Sequence, residues 1–204
     1  MDILWHGKTC FTIKGRTADI VINPDKSIKT PLKGDMVLSS IGGKENLAEV
    51  AGAKKIFDWA GEYEMSEIPI VAMNAWTRSR STEEEAGEKG ERTIIFGMEV
   101  DKFKIYHLGG LGHKLTTEMA EEIGDVDVLM VPVGEESNLG GDKAEDVIDQ
   151  LEPRMVVFMG SGDLQSVAKK LSGTAQVEEQ EKLTLTSRES LPEDKTVYTI
   201  LKAV

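Results

Sequence analysis

Residues able to carry chemistry are few in this sequence. It holds three histidines, His6, His107 and His113, and one cysteine, Cys10. Imidazoles titrate near neutrality and serve as general bases or, when neutral, as metal ligands. His107 and His113 flank Gly109, Gly110 and Gly112, and glycines let a backbone approach a ligand closely. Together with Glu62 or Glu64 of the segment Gly61-Glu62-Tyr63-Glu64 they could form a small acid–base site. Glu45 and Asp58 are further carboxylates of that kind. The structural alternative has the histidines holding loop backbone by hydrogen bonds and residues 61–64 making a tight turn; it is the favoured one. Cys10 lies in a strand-like stretch with no His/Asn arrangement pointing to it, so it reads as a buried, inert thiol. Gly160-Ser161-Gly162 precedes Asp163 and could offer amides to an anion, although Asp163 reads better as a helix cap.

The elements that would position these residues change character along the chain. Short strands are predicted at 3–5, 10–13, 18–22, 35–39, 55–59 and 68–73, punctuated by glycines and by Asn23-Pro24-Asp25. Residues 45–50 have a helical look. A polar stretch from 77 to 92, with Arg78, Arg80 and Glu83-Glu84-Glu85, is the longest segment without a pattern and reads as a solvated loop. Residues 93–100 and 103–107 form a hairpin. Beyond it strands (127–133, 155–159) alternate with helices (116–123, 142–151, 163–171). Ala144, Val147, Ile148 and Leu151 recur at helical spacing. Short strands near 175–177, 183–186 and 197–201 close the chain. Many strands followed by alternation predict two sheets with helices outside, and no linker divides residues 1–204.

Composition narrows the function classes. The 204 residues are 40% hydrophobic and carry a formal net charge of −12. That field repels a phosphate backbone, and no dense run of Lys and Arg offsets it, so nucleic-acid binding is not expected. A lone cysteine fits a reducing compartment. The start of the chain has no basic and apolar leader, and no apolar run reaches the roughly 20 residues of a membrane span. The expectation is a cytoplasmic protein without a membrane partner.

Several segments, in order, resemble the metallo-β-lactamase superfamily, and in particular its compact bacterial branch of metal-dependent hydrolases related to sugar-lactone hydrolases. Residues 5–11 (Trp-His-Gly-Lys-Thr-Cys-Phe) resemble that group's W-L-G-H-S-C-F, and residues 35–40 its D-I-V-L-x-S. Residues 61–64 are similar to G-E-Y-E, 107–113 to H-L-G-D-L-G-H, 131–134 to I-P-V-G and 153–159 to P-R-I-V-I-P-M. The resemblance implies a four-layer αββα sandwich of two mixed sheets flanked by helices (α/β, α+β). It also implies a loop-built site at one edge, where zinc or another divalent metal activates water.

The ligand positions that the resemblance implies have other residues here. The H-x-H-x-D-H motif falls on residues 41–46, placing Ile41, Gly43, Glu45 and Asn46 at its four ligand positions. Gly110 stands where H-L-G-D has its aspartate, and Gly160 where P-M-H has its histidine. Lys8 replaces the histidine of G-H-S-C-F. Isoleucine and glycine offer no side-chain donor. The expectations are therefore a catalytically degenerate member of the fold, with no cofactor and a binding or assembly role. The partner would be a protein, a second copy or an unidentified small ligand in an emptied cavity between the Ser40 loop, the Gly110 loop and Gly160. The alternative is a metal-dependent hydrolase of esters, lactones or phosphodiesters with a shifted site using Glu62, His107 and His113.

Overall fold

The first strands are rich in apolar residues that pack into the interior. They are β1 (Asp2–Gly7), β2 (Cys10–Lys14) and β3 (Asp19–Ile22), paired antiparallel in that order. Next come β4 (Leu32–Lys33), β5 (Met36–Leu38), β6 (Val50–Ala51), β7 (Lys55–Phe57) and β8 (Gly61–Met65). They are followed by β9 (Ile68–Trp76), β10 (Arg92–Val100), β11 (Phe103–His107) and α1 (Thr117–Ile123). The alternating part holds β12 (Val128–Gly134), α2 (Gly141–Leu151), β13 (Met155–Ser161) and α3 (Leu164–Leu171). The last strands are β14 (Val177–Gln180), β15 (Leu183–Thr184) and β16 (Val197–Leu201). This computed structural model describes residues 1–41, 46–77, 90–134, 139–173 and 175–204.

Two mixed sheets result. One has the order β15-β1-β2-β3-β5-β7, and the other β14-β16-β13-β12-β11-β10-β9-β8. Strands β11, β12, β13 and β16 run parallel, and β12 and β13 are buried on both faces, as parallel strands under helices must be. A single apolar core runs between the sheets, with Phe11, Phe96, Phe103 and Phe158 among its largest fully buried side chains. Helices α2 and α3 pack on β12, β13 and β16, and α1 packs on α2. The outer side of the first sheet carries a smaller apolar cluster of Cys10, Val21 and Leu32. Ile28, Ala48 and Val50 pack against it, and the short β4–β6 pair contributes two of these residues. Among the described residues, no helix is long and apolar enough to cross a membrane.

Local chemistry explains the helices. In α2 the residues Ala144, Val147, Ile148 and Leu151 form one buried stripe. Each large side chain in it contributes roughly 1.5–3 kcal/mol by leaving water. Thr116 caps α1, its hydroxyl accepting from the Met119 amide at 3.2 Å, and Asp163 caps α3 through the Ser166 amide at 3.0 Å. One buried carboxylate pins the layers: Asp127 accepts from the Lys104 amide at 2.8 Å and from the Arg188 guanidinium at 3.0 Å.

Two local expectations fail. Residues 61–64 are not a turn but most of β8, an edge strand whose Glu62 and Glu64 face solvent while Tyr63 packs its ring on Phe57, 4.8 Å between centroids. An edge strand with one wet face carries few apolar residues, which hid it. Residues 47–50 do not form a helix: Val50 enters β6 beside Leu32, and the Ala48 amide donates to Pro24 O at 2.8 Å. Tertiary pairing overrides local propensity there.

Candidate functional site

Four turns meet at one edge of the sandwich. The first joins β1 to β2 and holds Lys8 and Thr9. A second follows β3 and holds Asn23, Pro24 and Asp25. Ser39, Ser40 and Ile41 follow β5, and Gly109 and Gly110 follow β11. Gly160 and Ser161 end β13 on the same side. Single bridges lock these pieces together, Lys8 with Gly160, Asp25 with Leu47 and Ile41 with Thr93.

Between them lies a cavity of about 310 Å³, lined by Lys8, Thr9, Asn23, Pro24, Asp25, Ser39, Ile41, Asn46, Leu47, Thr77, Gly109, Gly110, Pro132, Val133, Gly160 and Ser161. Ile41, Asn46, Gly110 and Gly160, singled out from four separate motif positions, all face this one space. Gly43 and Glu45 lie outside the described residues, as do Arg78, Arg80 and Glu83-Glu84-Glu85.

A buried neutral network forms part of the frame. Asn23 is buried and left-handed (φ 48°). Its amide nitrogen donates to Thr9 Oγ1 at 3.1 Å and to Ser40 Oγ at 2.7 Å, and its carbonyl oxygen accepts from the Ser40 amide at 2.8 Å. Thr93 Oγ1 donates to Ser40 O at 3.3 Å and accepts from the Gly110 amide at 2.9 Å. Hydrogen bonds thus run from the β1–β2 turn through both sheets to the Gly110 loop. The sequence reading missed Asn23, Ser40 and Thr93 as a unit; the only signal was a buried-type position, the end of a strand, occupied by small polar residues.

The candidate acid–base residues are placed elsewhere. His107 is fully buried, and its Nε2 meets Thr9 O at 3.0 Å while Nδ1 accepts from the Gly109 amide at 3.1 Å. A carbonyl only accepts and an amide only donates, so the proton sits on Nε2 and the ring is neutral. Burial holds its pKa down to about 4. His113 accepts at Nε2 from the Trp76 amide at 3.2 Å and has Nδ1 2.7 Å from Lys114 O. Glu62 lies exposed on β8. None of His107, His113 or Glu62 lines the cavity, and both imidazoles spend both nitrogens on backbone. Asp58 offers its carbonyl to Arg92 at 3.5 Å. His6 lies on β1, its Nε2 2.8 Å from Thr12 Oγ1, and burial lowers its pKa.

Among the described lining residues, charge is limited to one pair. Lys8 Nζ lies 3.8 Å from Asp25 Oδ2, and both side chains are partly exposed. The Ser27 hydroxyl and amide hold the Asp25 carboxyl below its ordinary value, with Lys8 adding to the effect. Lys8 itself is left-handed (φ 48°), and its carbonyl accepts from Trp5 Nε1 at 2.8 Å and from the Gly160 amide at 3.0 Å. Asp25 is the one carboxylate among the described lining residues. No group of three or more His, Cys, Asp or Glu among the described residues is placed to hold a metal ion. The donors described here therefore do not fit the family's divalent metal.

Comparison with known proteins supplies the wider frame. The family model of the β-lactamase superfamily domain matches residues 2–160. A UPF0173 protein of Pyrococcus abyssi is 28% identical over 182 residues, covering 79% of this chain and 84% of that protein. A UPF0173 metal-dependent hydrolase of Thermococcus onnurineus is 30% identical over 100 residues, 48% of this chain and 43% of the relative. Among solved structures, a candidate Zn-dependent hydrolase of the metallo-β-lactamase superfamily from Thermotoga maritima superposes with a TM-score of 0.75. It is 25% identical, with 98% of this chain and 99% of the other covered. A metal-dependent hydrolase candidate from Parabacteroides distasonis shares the fold at a TM-score of 0.64 and 14% identity over 84% of this chain and 88% of its own.

These findings correct one expectation and leave another unconfirmed. The reading of no cofactor does not stand, because the relatives are named for metal-dependent, and in one case zinc-dependent, hydrolysis. It was drawn from side chains missing at individual motif positions, which speaks to those positions and not to the protein's use of a metal. The bacterial placement is not confirmed, since these sequence relatives are archaeal.

Proposed function

The chain belongs to the β-lactamase superfamily, and on that premise we propose that it is a catalytically degenerate member whose former reaction centre serves as a binding site for a small, largely apolar ligand. The observation that carries this reading is the convergence of Ile41, Asn46, Gly110 and Gly160 on one cavity of about 310 Å³. Small and apolar residues at ligand positions remove charge and leave room, and Leu47, Pro132 and Val133 add apolar wall. A volume at the lower end of the roughly 300–1,000 Å³ of ligand pockets suits a compact molecule.

The test is a titration of the full chain with cyclohexanol, followed through backbone amide resonances. Saturable shifts centred on Gly110, Val133 and Gly160, abolished in Gly110→Leu, are expected. Absence of saturable shifts at those residues would refute the proposal.

A second reading has its own support, the relatives' names as metal-dependent hydrolases. It assigns this chain ester, lactone or phosphodiester hydrolysis with a divalent metal. Turnover that requires added Zn²⁺ or Mn²⁺ and disappears in Gly110→Leu would favour it over binding.

A further inference from the structure

The two large sheets end in four edge strands, β15, β7, β14 and β8. At five residues β8 is the longest of them. Its pairing with β9 sets Glu64 opposite Pro69 and Glu62 opposite Val71. Proline has no N–H, so Glu64 and Pro69 form one of the non-hydrogen-bonded pairs of an antiparallel ladder, and by alternation so do Glu62 and Val71. The backbone N–H and C=O groups of Glu62 and Glu64 therefore point away from β9, to the side where no described strand pairs with β8. Both side chains are exposed on one face, two residues apart and so about 7 Å along the strand. Neither carboxylate has a hydrogen bond or ion pair among the described residues. On the β14 edge, by contrast, Glu178 accepts from Gln180 Nε2 at 2.8 Å and Glu179 from Gln165 Nε2 at 3.1 Å. Just before β8 lies Trp59, 63% exposed. Its carbonyl accepts from the Tyr63 hydroxyl at 3.0 Å, and the Arg92 guanidinium sits 4.3 Å from its ring centroid. A tryptophan held in place yet left in water is the kind of anchor that interfaces bury.

An open edge strand is a template for another strand. The glutamates decide which. Pairing of β8 with a second copy of itself, centred on Tyr63, would set Glu62 opposite Glu64, and like charges directly opposite destabilise a sheet. A strand with cations at alternate positions gains from the same two carboxylates. Apart from the cavity, we propose that β8 is a docking edge for an extended basic segment of another protein, which adds to the sheet with Lys or Arg opposite Glu62 and Glu64 and an apolar side chain on Trp59.

Three end-blocked hexapeptides test this: alternating Lys-Val, alternating Glu-Val, and three lysines followed by three valines. Each is titrated into the full chain and followed by backbone amide resonances and hydrogen exchange. Alternating Lys-Val is expected to bind at least about tenfold more tightly than alternating Glu-Val, and about threefold more tightly than the blocked arrangement, which has the same charge without the alternation. At saturation the outward amides of Glu62 and Glu64 are expected to exchange at least about tenfold more slowly. The double variant Glu62→Lys, Glu64→Lys, whose substitutions lie on the exposed face and should leave the melting temperature unchanged, is expected to reverse the preference. Trp59→Ala is expected to weaken Lys-Val binding by about threefold or more. No saturable shift at β8, equal binding of the three peptides, unslowed exchange at Glu62 and Glu64, a preference that survives the double variant, or unchanged affinity in Trp59→Ala would each overturn the proposal. A dimer seen by sedimentation that excludes the peptide would overturn it too, and would assign the edge to a second copy.

Discussion

Asn23 and Ser40 hold each other from both ends, the Asn23 amide nitrogen 2.7 Å from Ser40 Oγ and the Ser40 backbone amide 2.8 Å from Asn23 Oδ1. Both are buried, and they join the end of β3 to the end of β5 beside the cavity. Removing the side chain leaves the Ser40 amide and hydroxyl without this partner in a dry setting. Asn23→Ala is expected to cost about 1–3 kcal/mol, with some added strain from alanine at φ 48°. Urea unfolding measures it directly, and a change below about 0.5 kcal/mol would mean that the network is dispensable.

Gly110 and Gly160 face the same cavity but differ in what they tolerate. A Cβ at Gly110 would meet Thr93 Oγ1 at 3.5 Å and Thr77 Cγ2 at 3.6 Å, ordinary contact distances. At Gly160 the backbone has φ +137° and a Cβ would collide with the Val133 carbonyl. Gly110→Leu should therefore fill the cavity with a stability change within about 1 kcal/mol. Gly160→Ala should destabilise by about 1–3 kcal/mol or more. Thermal unfolding of the two variants, at about 2–4 °C per kcal/mol for this size, distinguishes them. Equal melting temperatures would contradict the backbone assignment at Gly160.

His107 gives the fold a defined sensitivity to acid. Burial depresses its pKa from 6.5 to about 4, so between those values the unfolded chain binds more protons than the folded one. Stability at this site is whole above pH 6.5, falls as pH drops through the window, and falls no further below about 4. The full span is on the order of 3 kcal/mol. His107→Gln is expected to lose less stability than the parent between pH 7 and pH 4.5 in urea titrations, and parallel pH profiles would contradict the neutral, buried ring.

Cys10 is fully buried in β2 and burial pushes its thiol up to about 12. A thiol in that state has little thiolate to react. Ellman's reagent is expected to label the native chain far more slowly than the urea-unfolded chain, and rapid native labelling would argue for an exposed nucleophile.

The two-sheet architecture was legible because parallel strands such as β12 and β13 are continuous apolar runs and α2 repeats its apolar residues at helical spacing. Thr116 and Asp163 were legible as caps because capping needs only a local side chain. β8 was not, since an exposed edge strand lacks an apolar pattern, and β6 was not, since its pairing with β4 is set by distant chain. At the site, single motif positions revealed which residues face the cavity. The partnership of Asn23, Ser40 and Thr93 stayed hidden, because contacts between residues 17 and 53 positions apart form only once both sheets form. Counting histidines spoke to individual ligand positions and was taken too far when extended to cofactor use, as the relatives' names show.

The most direct test of a binding rather than hydrolytic cavity is turnover with metal supplied. Wild type and Gly110→Leu, each loaded with Zn²⁺ or Mn²⁺, are compared on p-nitrophenyl acetate, γ-butyrolactone and bis(p-nitrophenyl) phosphate. Indistinguishable rates in the two proteins, alongside cyclohexanol binding lost only in Gly110→Leu, are the predicted result. Metal-dependent turnover in wild type that vanishes when the cavity is filled would contradict it.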